Sequence, residues 1–456
     1  TLVYFEHCSL MYSESSIDGG ISINYVKKSN IFSSRFIRNK SAKQCAGAGI
    51  YHGTYANVRN CTFMHNTADT RGSGMYIRNL KYALIFSSQF ITNKAIKQCA
   101  GVCIYEGTYV TVRKCTFMNN TAGETGGGMF IKSQKYTFVL SSEFMRNQAS
   151  LSGGGISVYG SFNLLAVYKC SILENKANIK GGGVYGETLK IMIIIKSTFL
   201  KNQAGHGGGI FSEKSEKLVV MHSHLSRNKA KIMAGAVHSD AFNSLDASKN
   251  SQVFLHNLTL IDNIGVEGAV LLFKNMQFAY ISKTQIKQTF FINISRSIIS
   301  VQRHNINLHH LDLMNLDQEI VLFDLYFLVA KLSNVEFHCG EGSYPNENIL
   351  KHGISGSMFH ILYKCAKCDS DWYIFNSRAW LVSKEISEKL HHRASYQCQK
   401  CPTHGNCVDG KTTALPNYWG YKNQRQIIFV ECPPEYCCQE GMCNDYNSCN
   451  IGRHGL

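Results

Sequence analysis

Over roughly the first 270 residues, apolar and polar positions alternate in short runs separated by glycine clusters. Cys115 and Phe117 are two positions apart, with Thr116 between them. Because successive strand side chains point to opposite faces, Cys115 and Phe117 are predicted to point inward and Thr116 outward. Further β-prone runs follow the glycine clusters, as at 129–131 and 156–158. No run has helical spacing or a helix cap, so the pattern predicts short strands throughout this region.

The strand pattern recurs with a period of about 27 residues. Each unit contains Phe-x-x-Asn-x-Ala, a glycine cluster and a second β-prone run. The unit's asparagines are Asn39, Asn66, Asn93, Asn120, Asn147, Asn175, Asn202 and Asn228, and a degenerate copy ends at Asn263. A longer duplication is also present, since residues 43–64 return almost unchanged at 97–118. A fixed period of this size indicates a stacked repeat architecture.

We interpret each repeat as one rung of a right-handed parallel β-helix. Glycine supplies the positive φ of tight turns, while asparagine tolerates that conformation and can bond to its copy one rung away. Clear rungs are expected to about residue 270, and 271–338 are expected to hold degenerate rungs, as at 290–293, 311–315 and 335–337. A leucine-rich repeat is the alternative, because Val58-x-x-Cys61-x-Phe63-x-x-Asn66 fits its core pattern. The glycines and the second strand in the other half of the repeat favour the β-helix.

Composition changes near residue 339 and divides the chain into two predicted regions, 1–338 and 339–456. All 5 prolines, all 3 tryptophans and 11 of the 18 cysteines lie in the second region. Residues 1–338 carry 35 Lys and Arg against 20 Asp and Glu, so nearly all of the net charge of +16 lies there. Such a field attracts polyanions. No nucleic-acid-binding motif accompanies it, so acidic glycans or cell-surface proteins are the expected partners rather than nucleic acid.

The second region is predicted to be a small, loop-rich module whose cysteines form disulfides. Its cysteines are Cys339, Cys365, Cys368, Cys398, Cys401, Cys407, Cys432, Cys437, Cys438, Cys443 and Cys449. Paired Cys-x-x-Cys motifs at 365–368 and 398–401 also permit a zinc site with four thiolates. The vicinal pair at 437–438 and the five further cysteines favour the disulfide framework. Cysteines of the first region, such as Cys61 and Cys115, are instead expected to be small buried residues that bind no metal.

The Phe-x-x-Asn and Gly-Gly-[Ala/Ile] pairing, over roughly residues 1–270, resembles the repeats of chlamydial-type polymorphic outer membrane proteins. That resemblance implies a surface-displayed right-handed β-helix, mostly with an adhesive role. The tail, at 401–407, 416–420 and 432–438, is similar to the cysteine-rich segment of large animal cell-surface proteins. Those proteins join a β-helix ectodomain to a later multi-pass membrane region, which implies an extracellular location for this part of the chain.

Thr1 is not an initiator methionine and the chain ends inside a cysteine-rich pattern, so we expect a fragment with a truncated tail module. No apolar run reaches the length of a membrane helix, so membrane contact is expected only through segments outside this chain. Four Asn-x-[Ser/Thr] triplets are candidate N-glycosylation sites: Asn60, Asn119, Asn257 and Asn293. Glycans at Asn60 and Asn119 are expected to be sterically hindered by the neighbouring strands.

No cofactor, metal site or catalytic residue is predicted, and we expect a non-enzymatic domain for adhesion or ligand recognition. A polysaccharide-processing enzyme is the alternative, because a hydrolase on this fold needs only paired carboxylates on adjacent rungs. The acidic side chains at Asp69, Glu124, Glu143, Glu174 and Glu187 are expected to be scattered. His206, between two glycines, is expected to be a turn residue.

Overall fold

The computed structural model describes 1–160, 164–241, 251–266, 268–287, 299–302, 305–314, 320–326, 330–338, 343–346, 350–352, 358–375, 378–383, 391–394, 398–408, 410–423, 426–433, 436–437, 443 and 445–447. Within these residues all regular structure is β, and no helix capable of spanning a membrane is found.

Each rung contains four strand segments, and equivalent segments of successive rungs pair in parallel to form four strand stacks. In four rungs the first and second segments are one bent strand: Ala48–Arg59, Met75–Phe86, Val102–Arg113 and Met129–Leu140. Separate strands of the first stack are Ile21–Asn24, Ile156–Tyr159, Val184–Glu187, Ile210–Glu213, Val237–Asp240, Leu271–Lys274, Ile299–Gln302 and Ile320–Tyr326. Separate strands of the second stack are Leu2–Glu6, Lys28–Phe32, Leu164–Tyr168, Ile191–Ile195, Lys217–Met221 and Gln252–His256.

The third and fourth stacks are shorter. The third contains Ser9–Met11, Arg35–Ile37, Thr62–Met64, Gln89–Ile91, Thr116–Met118, Glu143–Met145, Ser171–Leu173, Thr198–Leu200, His224–Ser226 and Thr259–Ile261. The fourth contains Glu14–Ser15, Lys40–Ser41, Thr67–Ala68, Lys94–Ala95, Thr121–Ala122, Gln148–Ala149, Lys176–Ala177, Gln203–His206 and Lys229–Met233. In the last rungs, Phe278–Lys287, Asn305–Met314 and Ala330–His338 continue the parallel pairing of the second stack. The pairing of successive rungs in one register confirms the predicted parallel β-helix.

Single residues in the left-handed conformation turn the chain at the corners of each rung. In the rung that begins at Met75 these residues are Asn79, Ser87, Thr92 and Cys99, with φ between 47° and 57°. The asparagine of the repeat is not one of them, contrary to the expectation, because the residue before it takes the turn. Glycine takes the fourth corner in several rungs, as at Gly126 with φ of 68°.

Inward side chains form ladders in which each residue contacts its own copy in the next rung. Phe36, Phe63, Phe90, Phe117 and Phe144 stack with ring centroids 4.5–4.9 Å apart. The repeat asparagines form a buried ladder, in which the backbone N–H and Nδ2 of each donate to Oδ1 of the next at 2.9–3.1 Å. This confirms the predicted bonding between asparagines one rung apart. The leucine-rich-repeat alternative is wrong, since the second half of each repeat is a strand.

Buried cysteines alternate with serines in another inward ladder. The N–H of Cys61, Cys115 and Cys170 donates to Oγ of Ser88, Ser142 and Ser197 at 3.1–3.2 Å. Burial raises the pKa of Cys61 to about 11 and that of Cys115 to about 12. These thiols are free and stay protonated at neutral pH, so they are poor nucleophiles and poor metal ligands.

After residue 339 the pairing becomes antiparallel. Met358–Lys367 pairs with Ile320–Tyr326, and Arg378–Ser383 pairs with Ala330–His338. The other strands of this region are Ser343–Asn346, Leu350–His352, Trp372–Ile374, His391–Ala394, Cys398–Lys400, Gly405–Val408, Lys411–Ala414, Tyr418–Asn423 and Gln426–Glu431. Its predicted disulfide-rich character is confirmed by the bonds Cys368–Cys398, Cys401–Cys407 and Cys432–Cys437, with Cα separations of 5.8, 5.8 and 6.0 Å.

Candidate basic cleft on the first stack

Outward side chains of the first stack build a continuous ladder of aromatic rings. Each first-stack strand points its first and third residues inward, as Met75 and Ile77 do, and its second and fourth residues outward. The outward rings come from successive rungs and have centroids 4.2–5.7 Å apart. We call this row the aromatic ladder: Tyr51, Tyr76, Tyr105, Phe130, Tyr159, Tyr185, Phe211 and His238.

A cleft of about 260 Å³ opens over the middle of this ladder. Tyr76, Tyr105 and Phe130 form its floor, and each is less than 10% exposed. Its walls carry three cations, Arg71, Arg78 and Lys132, together with Gln98, Glu106 and Ser133. Arg71 comes from the corner after the fourth stack, whereas Arg78 and Lys132 end first-stack strands. Because the chain returns to the same side of the molecule once in every rung, residues from different parts of the repeat meet at one site.

The cations of the cleft outnumber its carboxylates. Glu106 forms a two-point ion pair with Arg78, with both N–O distances 3.3 Å. The guanidinium of Arg71 lies 5.4 Å from the centre of the Tyr105 ring. Within the described part of the chain, no ion pair engages Arg71 or Lys132. The cleft therefore offers two positive charges to an anion.

The tyrosines of the floor are neutral at physiological pH. Burial raises the pKa of Tyr105 to about 12, although Arg71 partly opposes that shift. Burial also raises the pKa of Tyr76. The Tyr105 hydroxyl donates to Oε1 of Gln98 at 2.7 Å, and Gln98 in turn donates to Glu124 at 2.9 Å. Apolar ring surface beside a cation and hydrogen-bonding groups suits a sugar ring that carries an acidic group.

A disulfide that the sequence interpretation missed lies beside the cleft. Cys103 occupies the register position between Tyr76 and Phe130, and it is bonded to Cys99, with a Cα separation of 5.3 Å. Cys99 directly follows Gln98 of the cleft wall. The short spacing between Cys99 and Cys103 was the sequence signal for this disulfide, since no other two cysteines within residues 1–338 are so close in sequence. Disulfides here and in the tail are typical of chains exposed to an oxidising compartment.

Three carboxylates stand on consecutive rungs further along the same stack. Glu187, Glu213 and Asp240 are in register at the ends of their first-stack strands. The expectation that the acidic residues are scattered is therefore wrong at this position. Glu213 and Asp240 lie one period and two periods after Glu187, so the repeat itself contained the signal.

The environments of these three carboxylates differ. Lys180 and the Tyr185 hydroxyl both donate to Oε2 of Glu213 at 2.5 Å, and the hydroxyl oxygen also lies 2.8 Å from Oε2 of Glu187. Burial acts to raise the pKa of Glu213, but Lys180 and Tyr185 together outweigh it and hold that pKa below its ordinary value. Burial raises the pKa of Asp240, which accepts a hydrogen bond from Asn275 at 3.0 Å.

Two histidines complete this group. His238 is 2% exposed and stacks on Phe211 at 4.2 Å, and neither of its ring nitrogens has a hydrogen-bond partner among the described residues. Burial lowers its pKa well below the ordinary value. His206 is the last residue of the fourth-stack strand Gln203–His206, rather than the turn residue expected, and its ring centre lies 6.0 Å from that of His238.

The remaining predicted site residues are placed as follows. Asn60, Asn119 and Asn257 are exposed at corners, so their side chains face solvent. Cys443 is also disulfide-bonded. Asn293, Cys339, Cys438, Cys449 and the side chain of Cys365 lie outside the described residues. Among the described residues, no group of three or more His, Cys, Asp or Glu is arranged to hold a metal ion.

The family comparison agrees with this architecture. Residues 86–260 match the family model described as the right handed beta helix region. With the parallel register, this match defines the chain as a right-handed parallel β-helix followed by a disulfide-rich tail. No match to the chain was found among the curated proteins or the solved structures.

Proposed function

We propose that this chain is a non-enzymatic extracellular ectodomain of a larger surface protein, and that it recognises acidic glycans in the basic cleft. The cleft carries the proposal, because it combines apolar ring surface with two cations, Arg71 and Lys132, that form no ion pair with a carboxylate of the described residues. The disulfides support an extracellular location. Binding without turnover is consistent with the lining of the cleft, since its one carboxylate, that of Glu106, is ion-paired with Arg78.

The test is binding of sulfated and uronic-acid oligosaccharides to the intact chain, measured by calorimetry at two salt concentrations. Each charge-assisted hydrogen bond contributes roughly 1.5–3 kcal/mol. The double variant Arg71→Gln, Lys132→Gln is therefore expected to bind at least tenfold more weakly. The matched control is Lys81→Gln, Lys135→Gln, which removes two exposed lysines that lie 5.4 Å from tyrosine rings of the second stack.

Three outcomes are informative. A selective loss in the cleft variant supports the proposal. An equal loss in both variants means that the overall positive field, rather than the cleft, attracts the glycan. No binding by the unaltered chain overturns the proposal.

A polysaccharide hydrolase is the second candidate function, and the carboxylates on consecutive rungs favour it. A retaining glycosidase needs two carboxyl groups about 5 Å apart, one protonated and one ionised. The pKa values of Asp240 and Glu213 are shifted in the two directions that such a pair requires. Release of reducing ends from an acidic polysaccharide, abolished by Glu213→Gln but not by Glu143→Gln on the third stack, would establish this activity.

A further inference from the structure

The outward face of the second stack is apolar where a solvated sheet face would be polar. On four consecutive strands this face has 12 outward positions, and 11 of them are apolar or aromatic. Each of the 12 is partly exposed, whereas most of the inward residues between them are fully buried. We call this surface the second-stack patch: Tyr136, Phe138, Leu140, Leu164, Ala166, Tyr168, Ile191, Ile193, Ile195, Lys217, Val219 and Met221.

The sequence of these strands is that of a sheet covered on both faces. A strand with one solvated face alternates apolar and polar residues, while a strand buried on both faces is a continuous apolar run. The strand Ile191–Ile195 reads IMIII, and Leu164–Tyr168 reads LLAVY. By contrast, the outward positions of the third stack are mixed: the first residue of each strand is polar, as at Thr116, Glu143 and Thr198, and the third is apolar. The inner face of the second stack packs on the core of the rod, but the outer face is left partly exposed.

We propose that a second copy of this chain packs on the second-stack patch, face to face, to form a symmetric dimer. The strands of this sheet are paired along the stack, so its face offers no unpaired edge for an added strand. Its natural complement is another sheet at a distance of about 10 Å. The same patch on a second copy supplies such a sheet, with matching dimensions and matching apolar character.

The second-stack patch covers four strands, and together with the strands on either side of it the face approaches the area of a specific dimer. From Ala48–Arg59 to Gln252–His256 the second stack contains eight strands. At about 4.8 Å per strand and 3.3 Å per residue, they cover roughly 600 Å² on each copy. Two such faces approach the roughly 1,200 Å² at which specific interfaces begin. Arg59 and Arg113 lie on the outward face nearer the N-terminus, and exposed Lys169 and Lys196 lie at its border, so an apolar centre has a polar rim.

The test is the molar mass of the intact chain in solution, measured by light scattering and sedimentation at about 1 to 50 µM. The expected mass is about twice the 51.1 kDa of one chain. Ile193→Lys places a charge at the centre of the patch and is expected to weaken association at least tenfold. Thr198→Lys is the matched control, because it adds the same charge to the outward face of the third stack and is expected to leave the dimer intact.

Ile193→Thr is a second variant in case Ile193→Lys does not fold. Threonine keeps the β-branched shape and the strand propensity while adding a hydroxyl. It is expected to weaken association in the same direction with an unchanged circular dichroism spectrum. A mass of one chain at every concentration overturns the proposal, as does a dimer that Ile193→Lys leaves as stable as before. A patch that serves a lipid surface or an unrelated protein would give the first of these results.

Discussion

Asn120, in the middle of the asparagine ladder, gives the sharpest test of what holds the rungs together. Its side chain is completely buried and makes four hydrogen bonds. Its Oδ1 accepts from the backbone N–H and Nδ2 of Asn93, each at 3.0 Å, and its Nδ2 donates to the Phe90 carbonyl and to Asn147 Oδ1 at 2.8 and 2.9 Å. Asn120→Ala removes all four bonds and deprives the Asn93 N–H of its acceptor.

The expected cost follows from the count of bonds. At a net value of about 1 kcal/mol for each hydrogen bond, Asn120→Ala lowers the free energy of unfolding by about 4 kcal/mol. That is a large share of the roughly 5–15 kcal/mol that stabilises a typical domain. Urea unfolding followed by circular dichroism measures this decrease in the free energy of unfolding. Hydrogen exchange of the backbone amides shows which neighbouring rungs are destabilised.

Two comparisons decide whether the ladder is the cause. Thr121→Ala changes the exposed neighbour of Asn120 and is expected to alter stability by less than about 0.5 kcal/mol. Asn39→Ala removes an equivalent ladder residue near the N-terminal end, where its Oδ1 accepts from Ser13 and its Nδ2 donates to Leu10 and Asn66. Because stacked repeats depend on their neighbours, loss at the end is expected to fray only the first rungs. A change below about 1 kcal/mol for Asn120→Ala would refute the reasoning.

Three further predictions rest on buried groups. His238→Phe replaces a ring with two unpartnered nitrogens and is expected to raise the free energy of unfolding by about 1–3 kcal/mol, measured by urea unfolding; a loss of stability would mean that His238 has a partner. Asp240→Asn is expected to be more stable than the unaltered chain at pH 7, because burial raises the folded-state pKa and disfavours the charged form; the advantage should vanish as pH falls below about 4, the ordinary pKa of Asp. Cys115 is expected to resist alkylation by iodoacetamide at pH 8 in the folded chain and to react fully in urea, as read by mass spectrometry, since burial raises its pKa to about 12.

The inward residues could be predicted from the sequence because the repeat constrains them strongly. Phe117 and Asn120 recur at one period, and a side chain that meets its own copy every rung must be able to stack on itself or bond to itself. The cleft could not be predicted in this way. Arg71 and Lys132 are 61 positions apart and belong to different parts of the repeat, so the path of the chain around a rung determines that they meet.

The prediction of scattered acidic residues is wrong for a related reason. Glu187, Glu213 and Asp240 are separated by 26 and 27 positions, which the period allows, but the strand register establishes that they align. The disulfides of the tail show most directly what the sequence alone could not predict. Cys368 could pair with any cysteine of the module, and only the folded backbone brings Cys398 within 5.8 Å of it.

The sequence by itself therefore determined the period, the inward face of each strand and the parallel stacking, because those depend on contacts between identical residues of neighbouring rungs. Only the tertiary structure decided which corner residues turn the chain, which cysteines pair and which cations and rings share the cleft. Those choices depend on distances between residues with no periodic relation, and such distances exist only after the chain has closed around each rung.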